Sequence, residues 1–85
     1  MASYRLLIKR SAAKELESVP LGDRRRLVAR IRKLAQQPRP RGIEKLGGQD
    51  LFQVRQGSYR ILYEILDQDR IVTVIKVGHR RVVYR

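Results

Sequence analysis

The stretch "LFQVRQGSYRILYEI", residues 51–65, constrains this chain more than any other. Apolar and polar residues alternate on both sides of Gly57-Ser58, the pattern of two strands that each turn one face to a core. Glycine followed by serine suits a two-residue type II′ turn, because the first turn position needs a positive φ. Register then follows by counting outward. Gln56 falls opposite Tyr59, Arg55 opposite Arg60, Val54 opposite Ile61, Gln53 opposite Leu62 and Phe52 opposite Tyr63. Phe52, Val54, Ile61, Tyr63 and Ile65 share the core face. Arg55 and Arg60 stand face to face on the other.

The remaining elements are read from periodicity and breakers. "SYRLLIKR" (3 to 10) reads as a strand. Ser11 is placed to cap a short helix reaching about Val19, with Ala13, Leu16 and Val19 spaced to meet a core. Pro20 and Gly22 break the chain. A second helix runs to about Gln37, with Leu27, Val28, Ile31, Leu34 and Ala35 as one apolar stripe. "QPRPRG" ends it, since proline cannot continue a helix. Loop follows through Gly48, and then strands at 51–56, 59–66 and 70–77. The order strand, helix, helix, three strands predicts an α+β domain spanning 1–85, a small antiparallel sheet with both helices packed on one face.

Charge dominates the composition. Twenty Lys and Arg against eight Asp and Glu give a net charge of +12. Such a surplus repels itself, so a polyanionic or acidic partner is implied. Most of it is arginine, whose planar fork matches phosphate in two-point contacts, which points to nucleic acid. The chain has no cysteine and a single histidine, His79, which argues against a thiolate or histidine-built metal site. No apolar run approaches the roughly 18 residues of a membrane span, and the N-terminus lacks the apolar stretch of a signal peptide. A soluble cytoplasmic protein without membrane contact is expected.

The charges also have positions. Like charges directly opposed across two strands are destabilising by up to about 1 kcal/mol, so the Arg55–Arg60 pair reads as an anion site. A three-residue loop at 67–69 would set Lys76 opposite Arg60, and a continuing strand would carry Arg80 onto the same face. The closing segment "KVGHRRVVYR" contains no acid and adds Arg81 and Arg85. Phe52, Tyr59 and Tyr63 have core-face parity, which leaves Tyr84 and Tyr4 as the aromatics able to stack on a base. Cleavage of RNA through its own 2′-OH needs one proton removed, charge neutralised on the phosphorane and one proton delivered to the 5′-oxygen. Because the nucleophile lies in the substrate, this route needs no cofactor or metal. For the proton steps the chain offers His79, whose ordinary pKa near 6.5 makes it the natural choice, and Tyr84, whose phenolate neighbouring cations would favour.

Three segments, "YRLLIKRSAAKELESVP", "PRPRGIEKLGG…LFQVRQGSYRILYEI" and "VIKVGHRRVVYR", together resemble the RelE/ParE toxin superfamily over essentially the whole chain. "YRILYEI" with "VGHRRVVYR" at this spacing resembles its RelE branch. That resemblance implies a ribosome-dependent endoribonuclease that cuts mRNA in the A site, beside ribosomal RNA, and is neutralised by a cognate acidic antitoxin. By the same resemblance Arg60 would bind the scissile phosphate, Arg80 would stabilise or protonate the leaving group, and Tyr84 would be the tyrosine often cast as base. Arg55 falls where a catalytic lysine or arginine is usual. Gln53 departs from the pattern, standing where the enterobacterial form carries a second lysine. The expected catalytic set is therefore Arg55, Arg60, Arg80 and Tyr84, with Gln53, Lys76, His79, Arg81 and Arg85 as RNA contacts. Two other readings remain: a ParE-like toxin that poisons DNA gyrase without cutting RNA, and a noncatalytic RNA-binding module.

Overall fold

The computed structural model describes residues 3–46 and 50–79 of the chain. A strand, β1 (Arg5–Ile8), is followed by helices α1 (Arg10–Glu17) and α2 (Leu21–Gln36). Strands β2 (Glu44–Lys45), β3 (Leu51–Gln56), β4 (Tyr59–Leu66) and β5 (Ile71–His79) complete one sheet, in the order β1-β5-β4-β3-β2. The α+β class holds, with two corrections. β1 pairs with β5 in parallel, so the sheet is mixed. Glu44 and Lys45, expected to be loop, form a short edge strand against Gln53 and Phe52.

The helices form where the apolar spacing predicts. Ala12, Leu16 and Val19 are buried, as are Leu27, Ile31 and Leu34, each set stepping by four and then three residues. The face of α1 is thus turned by one position from the expected Ala13. Ser11 lies inside α1 and does not cap it: the N-cap is Lys9, with no side-chain bond to the first turn. Arg24, one of the α2 arginines, donates to the Val19 and Glu17 carbonyls, so it satisfies the end of α1 instead of facing solvent.

Both helical stripes pack on the sheet face that carries Phe52, Val54, Ile61, Tyr63, Ile65, Val72, Val74 and Val77. Tyr63 is fully buried, and its hydroxyl donates to the Pro38 carbonyl at 2.7 Å, which fastens the "QPRP" turn to the sheet. Burial pushes its phenol up to about 12. Asp67 anchors the other side of that loop. It accepts from Arg39 at 3.1 and 2.8 Å and from the Tyr4 hydroxyl at 2.7 Å. Arg39 in turn lies over the Phe52 ring at 5.5 Å. Tyr4 is therefore committed to a structural contact and is not a free stacking platform.

Candidate active site

The β3–β4 hairpin holds the site together. Gly57 has φ +61°, Arg70 is the one non-glycine with positive φ among the described residues, and Ser58 is therefore the second residue of a type II′ turn. The register counted from the sequence is the register found, with Arg55 opposite Arg60. Paired residues share a face, so both arginines lie on the side of the sheet away from the helices. Arg55 is exposed. Arg60, expected to be exposed, is half-buried, and its Nε is shut off from solvent with no hydrogen-bond partner among the described residues. A buried N–H without an acceptor costs about 1–3 kcal/mol, which an anion bridging the two guanidinia would recover.

β5 reaches the same face by a different route from the one expected. The turn after β4 has four residues, 67–70, closed by Arg70 N–H donating to the Asp67 carbonyl and by Arg70 at φ +55°. A β-bulge then inserts one residue of β5 opposite the Leu62/Tyr63 step. Arg60 consequently pairs with Gly78, and Lys76 with Leu62. The expected Arg60–Lys76 pairing is corrected, but the turn and the bulge each shift register by one residue. Together they shift it by two, which restores the parity. Lys76 therefore remains on the arginine face, diagonally across from Arg60.

The other candidates fall into three groups. Gln53 sits on the open face but is only 8 % exposed, and its amide donates to Glu44 Oε1 at 3.3 Å across the β2–β3 pair. His79 pairs with Tyr59, whose core-side parity puts it on the helix side of the sheet, with the two rings edge-to-face at 5.6 Å. It does not join the arginines. Arg80, Arg81, Tyr84 and Arg85 lie outside the described residues.

Sequence reasoning passed over Glu15. Its Oε2 accepts from Lys76 Nζ at 2.9 Å, and its Oε1 accepts from the Val77 backbone N–H at 2.9 Å. The cause is topological. β1 ends at Ile8, so among the described residues the edge of β5 beyond Val74 has no neighbouring strand, and α1 passes there instead. The available signal was an acid one helical turn from the buried Ala12. Nothing local, however, names its partner 61 residues away.

This arrangement can be compared with known proteins. Residues 6–84 match the family model described as ParE toxin of type II toxin-antitoxin system, parDE. The chain belongs to the RelE/ParE superfamily of type II toxins. Among its relatives, a protein of Methanocaldococcus jannaschii that carries the toxin name RelE1 is 28 % identical over 86 residues, covering 96 % of each chain. The fold of this toxin superposes on RelE of the archaeal RelE–RelB complex from Pyrococcus horikoshii with a TM-score of 0.81. The identity there is 28 %, over 95 % of this chain and 99 % of that one. The intact Escherichia coli RelBE toxin–antitoxin complex gives a TM-score of 0.80 at 26 % identity, over 91 % and 96 % of the two chains. Among the described residues of the toxin, no helix is long and apolar enough to cross a membrane.

Proposed function

We propose that this toxin is a ribosome-dependent endoribonuclease that cuts mRNA in the A site, acts in the cytoplasm and is held inactive by a cognate acidic antitoxin. The observation that carries the reading is the Arg55–Arg60 pair: two arginines at opposed register positions on the face away from the core, one with a buried Nε that has no partner among the described residues. In this mechanism the 2′-oxygen attacks the adjacent phosphorus while the P–O5′ bond breaks, leaving a 2′,3′-cyclic phosphate and a 5′-hydroxyl. Arg60 and Arg55 neutralise the charge that grows on the non-bridging oxygens. Tyr84 takes the proton of the 2′-hydroxyl and Arg80 serves the departing 5′-oxygen, roles that rest on the resemblance of "GHRRVVYR" alone. Gln53, Lys76, Arg81 and Arg85 contact the flanking RNA. His79, on the opposite side of the sheet at its register position, takes no part in proton transfer and contacts RNA only at the rim. The antitoxin reading draws on the toxin–antitoxin complexes of the relatives and on the net charge of +12, which suits an acidic chain folding onto the toxin.

The ParE description of the matching family model favours a second reading, gyrase poisoning without RNA cleavage. One experiment separates them. Messages on programmed ribosomes are mapped for new 5′ ends with wild type, Arg60→Met and Tyr84→Phe side by side. Cuts inside the A-site codon are expected, slowed about 10²–10³-fold by Arg60→Met, the scale of removing one charge-stabilising donor. Arg60→Met keeps the apolar stem, so its melting curve should stay close to that of wild type. No cuts with wild type, together with broken DNA and filamentous cells, would replace the nuclease with the gyrase reading.

A further inference from the structure

Lys76 is the cation diagonal to Arg60 on the arginine face, yet it is not free. Its ammonium is paired with the Glu15 carboxylate at 2.9 Å, with the two side chains 42 % and 31 % exposed. The same carboxylate holds the Val77 N–H that the bulged edge of β5 leaves without a strand partner. A helix glutamate thus does two jobs at the border of the site. Its second oxygen is fixed by the backbone, so the first is held where Lys76 stands diagonal to Arg60. Among the described residues, Arg55 and Arg60 have no such ion pair.

We infer that Glu15 is a positioning residue, a resident counter-ion that fixes Lys76 beside the arginine pair and competes with RNA phosphate for its ammonium. The inference rests on the reading of this face as RNA-binding. A half-exposed ion pair is worth roughly 0.2–1 kcal/mol, so the competition lowers RNA affinity by about 1.4- to fivefold and does not abolish binding. Glu15 touches no substrate in this account; it acts through Lys76.

The probe is a single-stranded RNA oligonucleotide with 2′-deoxy substitutions that block cleavage, followed by fluorescence anisotropy against the full chain. Glu15→Gln keeps an acceptor for the Val77 N–H and removes the charge. It should tighten RNA binding about 1.4- to fivefold. The gain should vanish when Lys76→Gln is added, and Glu17→Gln, the same charge change elsewhere on α1, should not reproduce it. A purely structural Glu15 would lower the melting temperature and leave affinity flat or weaker, which overturns the proposal. So would a gain that survives without Lys76. A measurement on the wild type guards against a variant that misfolds: the carboxylate ¹³C signal of Glu15 should move as RNA is added, and a stationary signal overturns the proposal. Wild type without salt-dependent RNA binding overturns the reading of the face, and this inference with it. Unchanged affinity in a Glu15→Gln variant, against normal wild-type binding, overturns this inference alone.

Discussion

Single side chains in this toxin carry either the site or the joints that hold it, and charge alone does not tell the two apart. Among the described residues Arg55 and Arg60 have no ion pair with an acid, whereas Arg24 caps a helix end and Arg39 is locked to Asp67. Asp67 gives the clearest test of a joint. Hydrogen bonds from Arg39 and then Tyr4 hold its carboxyl at about 2, below the ordinary 3.8. A depressed folded-state pKa stabilises above the unfolded value, and that contribution is lost as pH falls through the folded one. The difference in melting temperature between wild type and Asp67→Asn should therefore be full above about pH 4 and shrink as pH falls toward about 2. A difference that stays constant across that window would remove Asp67 from the joint.

At the scale of elements, what could be read from the sequence depended on whether a local rule fixed the register. The β3–β4 hairpin was legible because one residue, Gly57, dictates the turn and every pair follows. The Arg55–Arg60 opposition is legible in the sequence for that reason. The register of β5 was not legible. Its four-residue turn puts Arg70 in the left-handed region without a glycine to announce it, and bulges have no dependable sequence mark. The parallel pairing of β1 and the two-residue strand β2 are tertiary choices, made once the edges of the sheet need partners. Glu15 was missed for the same reason, since it serves an edge that exists only after β1 ends. The hairpin's dependence on glycine can be measured. A Cβ at Gly57 would meet nothing within 4 Å, so the cost of Gly57→Ala is purely conformational at φ +61°. That cost is about 1–2 kcal/mol, a fall in melting temperature of roughly 4–16 °C for a domain of this size. On the proposed nuclease reading, cleavage per folded molecule should be unaffected if the variant keeps the register, which amide exchange across Arg55 and Arg60 would report. An unchanged melting temperature would mean that the turn does not hold the hairpin.

The molecule as a whole carries its charge as a load and as a tool, and salt should separate the two. A net charge of +12 on 85 residues, with only eight acids, means that repulsion acts against the compact state everywhere except at a few pairs such as Glu15–Lys76 and Asp67–Arg39. Screening weakens repulsion between exposed charges as the Debye length shrinks from about 30 Å at 0.01 M to about 8 Å at 0.15 M salt. The melting temperature of the free toxin should therefore rise with added sodium chloride, by a few degrees over that range. On the proposed function, attraction to RNA runs through the same charges with the opposite sign, and it falls as counter-ions are no longer released into dilute solution. RNA affinity should drop by orders of magnitude over the interval in which stability climbs. An acidic antitoxin would supply permanently what salt supplies transiently: it neutralises the self-repulsion and occupies the phosphate sites together, so it should raise the melting temperature and remove RNA binding at one stoichiometry. A melting temperature that falls with salt would show that the few ion pairs outweigh the surplus, and the need for an anionic partner would then have to be argued from the arginine face alone.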